Sequence, residues 1–293
     1  MKLSGHIESG FYRSMRAWKG ILIVWFVILI LASAISIPLK GSLTAAFGRS
    51  MITEKLINGI DPEVFTDLGS TFGSIMSSIS SGILFIIVTS IIINAFLFGG
   101  LFGIVRRQRS DFSATDFFKA CASGFWTFFF IALTITIIIL FIAVLFIAVS
   151  SVAMQSSETM SETAALIIGI GASILFLLIL PIFLLAADYA RALRLSSGKG
   201  SFLANLGSGF SITFNKFWKS YFMMLFMMAI QGLLFLIILK IIPSWHPATN
   251  LSMFVFFVVS QALFYVRLFF RTWRYAAVTS VMEENMQDPW LPQ

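Results

Sequence analysis

The chain has 293 residues, of which 58% are hydrophobic and only 11% are charged. An ordinary soluble domain has about 45–50% apolar and about 25% charged residues. The polar side chains of this sequence are therefore too few to cover a soluble fold. The composition excludes a soluble enzyme, a secreted disulfide-linked domain and a disordered chain, and it predicts an all-α, polytopic membrane protein.

The net charge of +7 and the scarcity of cysteine and histidine limit the chemistry further. In a membrane protein, excess Lys and Arg usually marks cytoplasmic loops, so we do not expect a nucleic-acid partner. The single cysteine, Cys121, excludes an intrachain disulfide and a cysteine-based metal cluster. The two histidines, His6 and His246, are too few for a histidine-rich site. We predict no cofactor and no metal site.

Six stretches of 20 or more residues contain no Asp, Glu, Lys or Arg. A helix needs about 20 apolar residues to cross a hydrocarbon core of ~30 Å. The sequence therefore predicts one integral membrane domain over residues 1–293, with six transmembrane helices arranged as three hairpins. We place these helices near residues 20–38, 82–105, 125–150, 164–189, 220–242 and 251–275.

The first predicted span has an alternative interpretation. Three basic residues precede it, and Ala32-Ser33-Ala34 resembles a signal-peptidase site. The apolar run is long for a signal sequence, however, and the first hairpin needs this helix. We expect the segment to remain as a transmembrane helix.

Lys and Arg residues are distributed very unevenly between the connecting segments. Sixteen of the 20 lie in the N-terminal segment, after the second and fourth spans, or at the end of the sixth. The remaining four lie in the long connection 39–81 or at Lys240. The positive-inside rule then predicts that both termini are cytoplasmic and that the connection 39–81 is external.

Similar basic and aromatic segments lead into the first, third and fifth spans. These three arms comprise residues 11–19, 117–126 and 210–219. Each contains a tryptophan (Trp18, Trp126 or Trp218) that we expect at the level of the cytoplasmic headgroups, where indole rings prefer to lie. The pattern predicts a threefold repeat of an amphipathic cytoplasmic arm followed by a helical hairpin.

The second arm has the pattern of a helix that lies on the membrane surface. Ser113, with Asp116 three residues later, predicts a capped helix start. After it, Phe117, Phe118, Cys121 and Phe125 recur at intervals that place them on one helical face. We therefore expect these four side chains to face the lipid.

Polar residues within or next to the predicted spans are the candidates for a functional site, because ionisable groups are costly at membrane depth. Asp188 closes the fourth span, and Arg267 lies within the sixth apolar region. We predict that these two residues pair between their helices. Asn94, Gln231 and Gln261 complete a candidate intramembrane polar site, and hydrogen bonding between helices is an equally adequate explanation for them.

Hydrolytic chemistry needs a nucleophile or a metal together with an oriented base. The predicted spans contain no histidine, and the chain contains neither an HExxH nor a GxSxG motif. We therefore predict no catalytic residue and do not expect an enzyme.

Membrane lipids are the expected partners of the cytoplasmic rim. Basic residues near the surface attract anionic headgroups. The candidate headgroup contacts are Arg106, Arg107, Arg109, Lys216 and Lys219. These charges also serve as topology signals, and that alternative explains them without any retained lipid.

The run Gly99-Gly100…Arg106-Arg107, with Phe117-Phe118 and Phe125-Trp126 after it, resembles uncharacterised bacterial six-helix membrane proteins. Among these, the chain is similar to the membrane domain found beside glycerophosphodiester phosphodiesterases, whose catalytic domain is separate. The resemblance implies a non-catalytic accessory or scaffold protein of the inner membrane, with a protein partner there. The alternative is a small transporter or lipid-handling protein with a site between helices.

Overall fold

A computed structural model describes residues 3–47, 69–107, 112–155, 161–197, 200–215, 217–244 and 249–286. These residues form eight helices and no strand, which confirms the all-α class. The helices are α1 (Leu3–Arg16), α2 (Trp18–Phe47), α3 (Gly69–Arg107), α4 (Ala114–Gln155), α5 (Glu162–Ser197), α6 (Phe202–Asn215), α7 (Phe217–Ser244) and α8 (Asn250–Met286).

Helices α3, α4, α5, α7 and α8 are each long and apolar enough to cross a membrane. Helices α1 and α2 meet at a bend of 65° and pass the same test together, which gives a sixth candidate span. The chain is therefore a multi-pass membrane protein. Several helices are longer than predicted: α4 joins the second arm to the third span, and α2 and α3 extend into the connection 39–81. The middle of that connection, residues 48–68, lies outside the described residues.

Four of the helices begin after a hydroxyl side chain that caps them. The backbone N–H of Asp116 donates to Ser113 Oγ over 3.3 Å, which confirms the predicted start of α4. Ser161, Ser201 and Thr249 accept equivalent bonds at the starts of α5, α6 and α8. Each cap satisfies one of the backbone N–H groups that a helix start leaves without a partner.

The helices belong to two compact units. Residues 23–94 form the smaller unit, and residues 1–22 and 95–293 form the larger one. In the larger unit, α4 packs along α5, α6 packs on α5, and α1 packs on α8.

The core of the larger unit is concentrated where α3, α5 and α8 end. Almost every side chain is buried in three stretches, 97–102, 185–190 and 275–282. Many of these residues are Gly or Ala, which let helix backbones approach closely. By contrast, only 6–17% of the most apolar windows of α4, α5, α7 and α8 is buried.

Helices α1 and α6 and the second arm pack onto these helix ends through close contacts of glycine. A Cβ atom added to Gly10 of α1 would lie 2.8 Å from the backbone nitrogen of Ala277, and one added to Gly209 of α6 would overlap the carbonyl oxygen of Ala186. In the second arm the glycine is on the other helix, since a Cβ on Gly100 would lie 2.6 Å from Cys121 Sγ. All three contacts therefore depend on the missing side chain.

This packing corrects the prediction for the second arm. Phe117 and Cys121 are buried against α3, so the expectation that they face lipid together with Phe118 and Phe125 is wrong. Spacing alone had placed them on one face, but it could not show that a glycine-rich helix covers that face. Phe118 remains exposed, as do Trp18, Trp126 and Trp218.

We expect that Gly209→Ala will destabilise the protein by about 1–3 kcal/mol, the usual cost of inserting a methyl group into a filled contact. Gly207→Ala is the matched control, because a Cβ there meets open space on the same helix. This control should be neutral or stabilising by up to about 1 kcal/mol, since alanine favours helix more than glycine does. Thermal unfolding of the detergent-solubilised protein measures both. Equal shifts would contradict the close contact between α6 and α5.

Candidate functional site

The buried carboxylate of Asp188 is the centre of an ion cluster in the core of the larger unit. Its side chain is 0% exposed, and its two oxygens face two arginines. Arg191 Nη1 donates to Oδ1 over 2.9 Å from the next turn of α5. Arg274 Nε, on α8, lies 2.9 Å from Oδ2. The carboxylate therefore links α5 to α8.

The contact between Asp188 and Arg274 is an ion pair but not a directed hydrogen bond. Both Asp188 Oδ2 and Arg274 Nε are buried and have no hydrogen-bond partner, although only 2.9 Å separates them. The N–H group therefore does not point along the line between the two atoms. The pair is held by charge, and its hydrogen-bonding capacity is not saturated.

A second arginine of α8, Arg271, lies beside this cluster and packs on aromatic rings. Its guanidinium carbon lies 3.6 Å from the centre of the Phe98 ring on α3. Its Nε donates to the hydroxyl of Tyr275 over 2.7 Å, and the Tyr275 ring stacks on Phe102 at 4.3 Å. Arginine suits such a site because its flat, delocalised cation is attracted to the face of an aromatic ring.

The charges of this cluster do not balance. Arg191, Arg271 and Arg274 contribute three positive charges, and Asp188 contributes one negative charge. Within the described part of the chain, no carboxylate forms an ion pair with Arg271. The site therefore carries a surplus of two positive charges among largely buried groups, an arrangement that favours an anion.

The predicted pairing of Asp188 with Arg267 is wrong, because Asp188 instead contacts Arg274 two turns further along α8. Arg267 is exposed, and none of the ion pairs among the described residues includes it. The sequence indicated the correct two helices and the correct face of α8. It could not indicate the depth at which the two helices meet.

The other predicted polar residues do not join this cluster through hydrogen bonds or ion pairs among the described residues. Asn94 borders a cavity of about 160 Å³ in the smaller unit, together with apolar side chains such as Ile28 and Leu31. Gln231 has a buried amide nitrogen without a hydrogen-bond partner. Gln261 is half-buried in α8.

Three of the five predicted lipid-headgroup contacts are engaged by protein groups. Arg106 donates to the backbone oxygen of Leu195, and Arg107 pairs with Asp116 at 2.6 Å. Lys219 pairs with Glu284 at 2.8 Å. Arg109 and Lys216 lie outside the described residues. The described rim thus uses its charges partly to hold the helices and arms together.

A second polar cluster, which sequence reasoning missed, fixes α1 to α8. The buried ring of His6 lies 3.0 Å from Ser280 Oγ through Nδ1 and 2.9 Å from Glu284 Oε2 through Nε2. Nearby, Arg13 pairs with Glu283 at 2.9 Å. The sequence contains one signal for this contact. His6, Gly10 and Ser14 recur every four residues on one face of α1, and Glu283 and Glu284 provide carboxylates at the end of α8.

A groove with a volume of about 740 Å³ lies between α4 and α5. Three serines border it, but each donates its hydroxyl to a carbonyl of its own helix: Ser150 to Phe146, Ser151 to Ile147 and Ser173 to Gly169. Phe176 and Leu177 add apolar walls. The groove therefore presents a mainly apolar surface.

The described residues contain no group of three His, Cys, Asp or Glu side chains that could hold a metal ion. Comparison of the chain with protein-family models, with curated proteins and with solved structures finds no match.

We expect that Asp188→Asn will destabilise the protein by about 3–5 kcal/mol, because it strands buried arginine charge. Adding Arg274→Gln should restore part of this loss, since the two groups interact directly. Thermal unfolding in detergent measures the double-mutant cycle.

The matched control for that cycle is Arg267→Gln, which removes an exposed arginine on the same face of α8. Its effect alone should stay within about 0.5 kcal/mol, and it should add to the effect of Asp188→Asn without coupling. Coupling to Arg267 but not to Arg274 would contradict the observed ion pair.

Proposed function

We propose that the chain is a non-catalytic accessory or scaffold protein of a bacterial inner membrane, which crosses the bilayer six times with both termini in the cytoplasm. The proposal rests on one observation. The ends of α3, α5 and α8 are closely packed, whereas the apolar windows of α4, α5, α7 and α8 are largely exposed. Helices that leave most of their apolar surface uncovered are suited to contact lipid and the spanning helices of other proteins.

The chemistry of the core favours this role over the alternative of a small transporter. Transport through the candidate polar site would use Asp188 as a ligand or proton carrier. That carboxylate is fully buried and already pairs with Arg191 of its own helix and with Arg274, which holds α5 against α8. A structural role explains all three groups.

The proposed orientation follows from the distribution of Lys and Arg, 16 of which lie in segments assigned to the cytoplasm. The packing is compatible with it, since α1, the second arm and α6 lie on the ends of α8, α3 and α5, and each of them adjoins or contains an arm. These arms would form the cytoplasmic face of the protein.

Cysteine labelling tests the orientation, but the natural Cys121 is unsuitable because it is buried. We therefore expect the informative background to be Cys121→Ala with a single new cysteine at an exposed position. With a membrane-impermeant maleimide, Ser161→Cys should react in intact spheroplasts, and Ser123→Cys should react only after lysis. The reverse result would contradict the proposed orientation. Reaction of both variants before lysis would contradict a complete span between them.

The scaffold role predicts protein neighbours along the exposed faces of the spans. A photo-crosslinking residue at Ile147, Ile170 or Leu236, all exposed, should give discrete protein adducts at one or more of these positions in native membranes. The matched control is Ile131, which is buried against α5 and α6 and should crosslink only within the chain. Adducts with lipid alone at all three exposed positions would contradict the scaffold role.

A further inference from the structure

Three arginines form a row along one face of α8. Arg267, Arg271 and Arg274 are spaced four and three residues apart, so they are neighbours on the helix surface. Their burial increases along the row: Arg267 is exposed, Arg271 is half-buried and Arg274 is 7% exposed. The row therefore leads from the outer surface of the helix into the ion cluster.

Only the inner end of this row is neutralised. Asp188 pairs with Arg274 and Arg191, whereas Arg267 and Arg271 have no ion-pair partner within the described part of the chain. Like charges one turn apart on a helix repel each other. An anion between the two guanidinium groups would offset that repulsion.

Arg271 is held in a fixed orientation by neutral groups. Its guanidinium lies on the Phe98 ring, and its Nε is occupied by the Tyr275 hydroxyl. Among the described residues, the two terminal nitrogens have no hydrogen-bond partner. A guanidinium fixed in this way presents two parallel donors, the geometry that binds phosphate oxygens in pairs.

The length of α8 before the row is about the thickness of a hydrocarbon core, which would bring the row close to the lipid phosphates. At 1.5 Å per residue, Arg267 and Arg271 are about 26 and about 32 Å along α8 from Asn250. A hydrocarbon core is ~30 Å thick, so with its near boundary at Asn250 the far boundary would fall between the two residues. This step depends on the proposed function only in treating α8 as a span.

We propose that Arg267 and Arg271 bind the phosphate of an anionic lipid headgroup beside the end of α3. Arg274 and Arg191 stay with Asp188 and add attraction behind the headgroup. The ligand chemistry is that of a phosphate mono- or diester, which an inorganic phosphate ion shares. The exposure of Arg267 and the depth of the row favour the lipid.

The test is native mass spectrometry of the full chain, incubated in mild detergent with equimolar phosphatidylglycerol and phosphatidylcholine. The wild type should retain phosphatidylglycerol preferentially, and Arg267→Gln should retain about fivefold less of it. Lys119→Gln is the matched control, because it removes an exposed cation of the second arm and should change retention little. Equal retention by the wild type and Arg267→Gln would overturn the proposal.

A second variant tests the shape of the site. Arg271→Lys keeps the positive charge but removes the planar guanidinium and its two parallel donors, so it should also lower phosphatidylglycerol retention. Should this variant fold poorly, Arg267→Gln still decides the question, because an exposed side chain is replaced there. Retention unchanged in a folded Arg271→Lys variant would contradict paired recognition by Arg271.

Competition with inorganic phosphate separates the two sources of the ligand. Retention of phosphatidylglycerol that millimolar phosphate does not reduce supports a lipid site, whereas displacement by phosphate, with phosphate bound in its place, would overturn the lipid assignment. These readouts are independent of the crosslinking that tests the scaffold role. Loss of lipid retention in Arg267→Gln would support the arginine site even if no protein adduct were found.

Discussion

The structure depends on the close approach of three helix ends, and that approach depends on side chains no larger than alanine. Between lipid-exposed helices there is little hydrophobic driving force, so association relies on packing and on polar contacts. At the ends of α3, α5 and α8, glycine and alanine allow backbones to come within reach of one another. The ion cluster and the aromatic contacts of Tyr275 both require this proximity. Around these ends, a methyl group at Gly10 would interfere with the packing of α1 on α8, and one at Gly209 with the packing of α6 on α5.

Asp188 places a buried negative charge at this packed end. A carboxylate without partners would be too costly in such a place, and two arginines make it tolerable. The same helices supply more arginine than the carboxylate can neutralise: Arg271 is half-buried and Arg267 is exposed on α8. The proposed anion site therefore adjoins the charges that stabilise the core. A substitution at Arg274 would affect both, whereas one at Arg267 would affect only the anion site.

Much of the architecture could be predicted from the sequence, because the cost of burying charge in lipid makes spans visible as charge-free stretches. The start of α4 was also predictable, since the cap of Ser113 is a local interaction. The partner of Asp188 could not be predicted, because it depends on the relative position of α5 and α8 along their axes. Likewise, the burial of Cys121 depends on a glycine in another helix, and no property of the second arm reveals it. The contacts of His6 join residues 274 and 278 positions apart, a separation at which sequence patterns give no register.

The contacts between α1 and the end of α8 can form only after α8 has been synthesised. Chains are synthesised at about 5–20 residues per second, so Ser280 follows His6 by some tens of seconds. During that time the face of α1 that carries His6, Gly10 and Ser14 has no α8 to pack on. Helix α1 is thus made well before the helix on which it packs. A chain interrupted before α8 would keep this polar, glycine-containing face uncovered, because the contacts that bury it come from the end of α8.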